Sequence, residues 1–224
     1  MAKAKVQYVC QECGHSSAKW VGQCPACQSW NSMAAEQVAG KAGGAAPRAA
    51  AAAVSLQAIT LAEQERRATH IGELDRILGG GVLPGQVVLV GGDPGIGKST
   101  ILLQAAQRLA ADERPLLYVS GEESLAQSKL RAQRLQVDNP HILLMAAVDL
   151  RAILDETARV KPAVLVIDSI QVMYDDDLPS APGSVTQVRE CAARLVRLAK
   201  EQHVAVLIIG HVTKTGAIAG PRVV

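Results

Sequence analysis

The chain has 224 residues, a formal net charge of +2, five cysteines and no phenylalanine. No apolar run approaches the roughly 20 residues needed to cross a bilayer. Charge this close to balance supplies no bulk argument for binding nucleic acid.

First in chain order are two cysteine knuckles. Cys10 and Cys13, ten intervening residues, then Cys24 and Cys27 have the spacing of a tetrahedral Zn²⁺–thiolate site. Two disulfides would use the same four residues. No signal peptide or other mark of an oxidising compartment accompanies them, which favours zinc in a cytoplasmic chain. His15 lies within the first knuckle and reads as solvated, since four thiols already complete the set. Tyr8, Trp20 and Trp30 fall in the same short stretch. So small a module buries little, so metal plus packed rings is its expected core. It is assigned residues 1–33. Residues 34–53 are dominated by Ala and Gly with Pro47, lack an amphipathic period, and read as a flexible tether.

The remainder, 54–224, alternates apolar runs (86–91, 116–120, 141–145, 163–168, 204–210) with helical segments (98–111, 124–135, 149–160, 185–202). That alternation predicts an α/β domain with a mainly parallel sheet covered on both faces. Cys191 shares a helical stripe with Val188, Leu195 and Ala199, which makes it a buried small apolar residue rather than a reactive thiol. Arg131, Arg134 and Lys129, and likewise Arg189, Arg194 and Arg197, read as solvated helix faces.

Between the first of these runs and the first helix stand Gly92, Asp93, Pro94, Gly95, Ile96, Gly97, Lys98 and Ser99, followed by Thr100. The pattern is G-x-x-x-x-G-K-[ST] in its required strand–loop–helix context. The glycines let backbone N–H groups face a polyphosphate, and the helix presents its N-terminus to the same charge. Lys98 is placed to reach the β- and γ-phosphates of ATP, and the Ser99 hydroxyl to ligate Mg²⁺. The run ending in Asp168 supplies a strand-terminal carboxylate of the kind that assists Mg²⁺ in such sites. The run 116–120 delivers Glu122 and Glu123 to the same rim. A carboxylate there orients or deprotonates an attacking water; the alternative is a pair of solvated loop acids.

The runs 91–100, 118–124, 166–171 and 210–214 resemble the RecA-like ATPase core of the bacterial RadA (Sms) family. The N-terminal cysteines and the run 71–81 fit the same family. The resemblance implies a RecA-like P-loop core behind a small four-cysteine zinc ribbon. It places Glu122 at the catalytic-glutamate position, with Glu123 as its alternate, and His211 where a γ-phosphate sensor ends a strand. It further implies a hexameric ring that acts on single-stranded or branched DNA beside a RecA-type recombinase and promotes branch migration. Of the two loops where such proteins hold DNA, 175–184 carries Asp175, Asp176 and Asp177, which repel phosphate. The second, 212–222, carries Lys214 and Arg222 and is the expected DNA contact. A solvated loop, or Lys214 facing a neighbouring subunit's nucleotide, accounts for it as well.

His70 stands where the family has glycine, and Thr215 where an acid is usual. The sequence also stops where RadA-like chains continue, so the sheet is expected to be incomplete at its C-terminal end and the chain to be truncated. Two alternatives stand beside the DNA-dependent ATPase: a nucleotide-sensing regulatory RecA-like ATPase, and a zinc-ribbon adaptor without turnover.

Overall fold

The computed structural model describes residues 5–38, 53–58, 66–111, 114–178 and 180–211. The chain divides into two compact units, Met1–Glu65 and Arg66–Val224.

In the first unit, β1 (Lys5–Cys10), β2 (Ser16–Ser17) and β3 (Met33–Val38) form an antiparallel sheet in the order β2-β1-β3. β3 runs into the stretch expected as tether, because Ala34 and Ala35 pair with Val9 and Tyr8 of β1. A run with no helical period is as compatible with a paired strand as with a flexible chain, and the pairing partner decides. Residues 39–52 lie outside the described residues.

The core of this unit is Cys10, Cys24 and Met33, with Tyr8 and Val21 against it. The expected packing of both indoles is not found: Trp20 is 55% and Trp30 71% exposed. The converging cysteines occupy the centre, and the two rings lie over Gly22, where a Cβ would sit 3.7 Å from Trp20 and 3.9 Å from Trp30.

The second unit begins with a turn into α1 (Gly72–Leu78). The Asp75 carboxylate accepts from Thr69 N (2.8 Å), Thr69 Oγ1 (2.7 Å) and His70 N (2.9 Å). Burial opposes ionisation, but these bonds outweigh it and hold Asp75 below the usual carboxylate range. His70 sits at φ +58, in the left-handed region that glycine adopts freely and most residues do not. The departure from the glycine expected at this position is therefore a backbone matter. His70→Gly is expected to raise stability by up to about 1 kcal/mol, and His70→Val to lower it by roughly 1–2 kcal/mol. Urea unfolding midpoints check this; a loss on His70→Gly would show that the imidazole itself contributes.

Five parallel strands follow: β4 (Val87–Gly92), β5 (Leu116–Ser120), β6 (Ile142–Ala146), β7 (Val164–Asp168) and β8 (Ala205–His211), in the order β4-β8-β7-β5-β6. The helices are α2 (Lys98–Leu109), α3 (Leu125–Arg134), α4 (Leu150–Val160) and α5 (Val185–Gln202). Three of them start where a short polar side chain takes up free backbone amides: Ser124 for α3, with Gln127 completing a capping box, Asp149 for α4 and Ser184 for α5.

Strand periodicity distributes the apolar side chains to two faces. Leu116, Tyr118, Val164, Val166 and Leu207 meet α2 through Leu102, Ala106 and Leu109. Leu117, Val119, Leu165, Ile167 and Ile208 meet α4 and α5 through Ile153, Val188, Leu195 and Cys191. Cys191 is fully buried there, as its helical stripe required. The central strands β5 and β7 are covered along their whole length, which is why they read as unbroken apolar runs.

Candidate nucleotide site and metal centre

Parallel strands in register bring their C-terminal ends to one rim. Gly92 of β4 pairs with His211 of β8, and Ser120 of β5 with Asp168 of β7. The chain leaves β4 into the loop 92–97 and turns into α2 at Lys98. Gly95 and Gly97 have φ of +80 and +99, so any side chain there strains the turn that lets the loop amides face inward. Gly97 caps α2 without a side-chain hydrogen bond, which leaves the first-turn N–H groups for an anion. Lys98 is 7% exposed, and its ammonium donates to the carbonyls of Gly92 (2.8 Å) and Asp93 (2.7 Å). Ser99 and Thr100 follow in the first turn.

At β7, Asp168 is 8% exposed and its Oδ2 accepts from the Tyr118 hydroxyl at 2.7 Å. Burial, with Asp168 beside it, pushes the Tyr118 hydroxyl far above its usual range, so it remains a donor at any working pH. Gly121 is required by close approach: an added Cβ would lie 2.4 Å from Val172 Cγ2, while its amide donates to the Asp168 carbonyl at 2.7 Å. Sequence reasoning missed both Tyr118 and Gly121; a hydroxyl two residues before the end of a buried strand was the available signal for the first.

The two rim glutamates part company. Glu122 Oε1 accepts from Ser169 Oγ at 2.5 Å and lies 3.3 Å from His211 Nε2. Glu123 instead pairs with Arg131 of α3, and its amide donates to Ser120 Oγ at 3.1 Å. Arg131 is therefore not part of a freely solvated face. Arg194 also departs from that expectation, meeting the buried Asp175 at 2.5 Å. Asp175 and Ser180 are buried while Asp176 and Asp177 stay exposed: Gln187, 1% exposed, accepts from Asp175 N and donates to the carbonyls of Asp175 and Ser180. Arg151 pairs with Asp177. Lys214, Thr215 and Arg222 lie outside the described residues.

In the N-terminal unit, the Sγ atoms of Cys10, Cys13, Cys24 and Cys27 all lie within 4.8 Å of one another, and His15 is not among them. Cys10 and Cys27 are 3.6 Å apart, as are Cys13 and Cys24. Zn–S bonds of about 2.3 Å in a tetrahedron imply sulfur–sulfur edges of about 3.8 Å, whereas a disulfide requires about 2.05 Å. All four are free thiols, so the residues fit Zn²⁺. Local desolvation and the three neighbouring thiols push Cys13 up to about 12, while the hydroxyl and amide of Ser29 pull Cys27 down to about 6. A quartet this close holds four thiolates together only around a cation.

Residues 53–217 match the AAA domain family, and residues 8–35 match the rubredoxin metal binding domain. The chain is 51% identical to DNA repair protein RadA of Halalkalibacterium halodurans, over 99% of its own length and 50% of that relative. It is 47% identical to RadA of Bacillus subtilis, covering 99% of this chain and 50% of that protein. Identity to RadA of Pseudomonas aeruginosa is 48%, covering 100% and 50%. The chain belongs to the AAA domain family, in its RadA branch. It spans about half the length of the curated relatives it matches. The family's fold is the one observed, a P-loop α/β core with a four-cysteine zinc ribbon before it. Among the described residues no helix is long and apolar enough to cross a membrane.

Proposed function

We propose that the chain is a DNA-dependent ATPase of homologous recombination and repair, acting in the cytoplasm on single-stranded or branched DNA and promoting branch migration. The observation that carries the hydrolytic part is Glu122, held at the P-loop rim by Ser169 and His211. In this reading the amides of 92–97 and Lys98 hold the phosphates of ATP, and Ser99 and Asp168 hold Mg²⁺, which neutralises charge on the β- and γ-phosphates. Glu122 orients the attacking water and takes its proton as the bond from the γ-phosphorus to the ADP oxygen breaks. Glu123, committed to Arg131, is the less suited of the two. His211 senses the γ-phosphate and passes its state to residues 212–222, where Lys214 and Arg222 contact DNA. The zinc ribbon supplies rigidity to its module rather than chemistry. Hexameric assembly and work beside a RecA-type recombinase extend the same reading; their support is the DNA repair named for the RadA relatives.

ATP hydrolysis with and without single-stranded DNA tests it, using this chain, its Lys98→Ala variant and a longer protein spanning the relatives' full length. Stimulation by DNA, with at least a roughly 100-fold loss in Lys98→Ala, is expected. No hydrolysis by the folded, zinc-loaded longer protein would move the assignment to nucleotide sensing. The adaptor reading has one observation in its favour, the two exposed indoles over Gly22, since exposed tryptophans are common anchors of protein interfaces.

A further inference from the structure

We infer that Ser169 is a positioning residue for Glu122, selecting which carboxylate oxygen faces the attacking water. The inference rests on the hydrolytic reading of Glu122 above. Ser169 is fully buried, directly after β7, whereas the Glu122 side chain is 45% exposed. An exposed glutamate samples several rotamers, and holding it in one costs on the order of 1–2 kcal/mol of side-chain entropy. A short O–H···O⁻ bond from a buried hydroxyl is the type of contact that offsets such a cost.

The geometry places the anchor without needing its hydroxyl. Ser120 and Asp168 are register partners, and the Gly121 amide donates to the Asp168 carbonyl at 2.7 Å. The backbones that carry Glu122 and Ser169 are thus joined independently of either side chain. Among the described residues, Ser169 Oγ makes one hydrogen bond, to Glu122 Oε1 at 2.5 Å. His211 Nε2 approaches that same oxygen at 3.3 Å. Among the described residues no donor reaches Oε2, so its lone pairs remain for a water proton. Losing the hydroxyl removes the stronger of the two contacts to Oε1 and frees the carboxylate to rotate. A displacement of about 1 Å at a reacting group costs on the order of 100-fold in rate.

The test is a double-mutant cycle between Ser169→Ala and Glu122→Gln in single-turnover ATP hydrolysis, with nucleotide affinity measured alongside. Ser169→Ala is expected to lower the rate constant roughly 10- to 100-fold with affinity for ATP changed less than about 2-fold. In the Glu122→Gln background it is expected to add nothing, because it acts through that carboxylate. An equal loss in both backgrounds would make Ser169 a structural residue and overturn the inference, as would an unchanged rate. A readout independent of turnover is the side-chain ¹³Cδ resonance of Glu122, expected to shift toward the averaged glutamate value in Ser169→Ala. If that resonance moves while the parent chain hydrolyses nothing, the positioning stands and the hydrolytic reading fails. If it does not move, the positioning inference fails whatever the turnover.

Discussion

Glu122→Gln is expected to leave ATP binding intact and to lower single-turnover hydrolysis by about 10²- to 10⁴-fold, the usual worth of a positioned general base. Glutamine keeps the shape and a carbonyl oxygen able to accept from Ser169, but its amide cannot take a proton from water. The hydrogen bonds of Lys98 go to the carbonyls of Gly92 and Asp93 and do not involve Glu122. Glu123→Gln is the control. It breaks the pair with Arg131, in which both side chains are about a quarter exposed (26% and 28%), and a partly solvated pair contributes roughly 0–1 kcal/mol to stability. Its rate is expected to fall less than about 10-fold by the same scale. Comparable losses in the two variants would remove the distinction between the glutamates, and a larger loss in Glu123→Gln would invert the assignment.

Removal of zinc is the second large effect. Structural zinc sites contribute about 10–16 kcal/mol of apparent binding free energy, which for a module this size is its folding free energy. Cys10, Cys24 and Met33 are the buried centre of that unit, so without the metal there is almost no apolar core to keep it folded. A chelator strong enough to strip the site, or Cys24→Ser, is expected to unfold the first unit and leave the P-loop unit's own thermal transition in place. The chain offers a selective probe, since Trp20 and Trp30 are its two tryptophans. Indole fluorescence anisotropy is expected to fall on chelation and to recover on adding Zn²⁺. Unchanged anisotropy after the metal has been shown by analysis to be gone would mean that the module folds without it.

The strands and helices of the P-loop unit were legible within a few residues because buried parallel strands and amphipathic helices impose different periods on the chain. The P-loop was legible because its chemistry is local: glycines, a lysine and a hydroxyl in one turn between a strand and a helix. The four cysteines were legible for the same reason, their spacing being set by the reach of a tight turn around one ion. The short α1 escaped, since seven residues (Gly72–Leu78) with no buried side chain leave too weak a period. The ribbon strand β3 escaped because a polar and Ala-rich segment becomes a strand by pairing with β1, and pairing is not written in either segment alone.

The resemblance placed Glu122 at the catalytic position with Glu123 as its alternate, but the two residues, adjacent and chemically identical, carry no physical reason of their own to prefer either. What separates them lies far along the chain: Ser169, 47 residues away, and His211, 89 residues away, reach one, while Arg131 takes the other. Arg194 follows the same rule, a surface charge by spacing that meets the buried Asp175, whose backbone Gln187 holds. The family, the glycine-rich run before α2, the cysteine spacing and the order of elements were readable from the chain because each depends on residues close together in it. Which glutamate meets Ser169 and His211, which meets Arg131 and which aromatics stay in solvent emerge only in the packed molecule. Those outcomes depend on strand register and on what already occupies the space, and both are properties of the packed molecule.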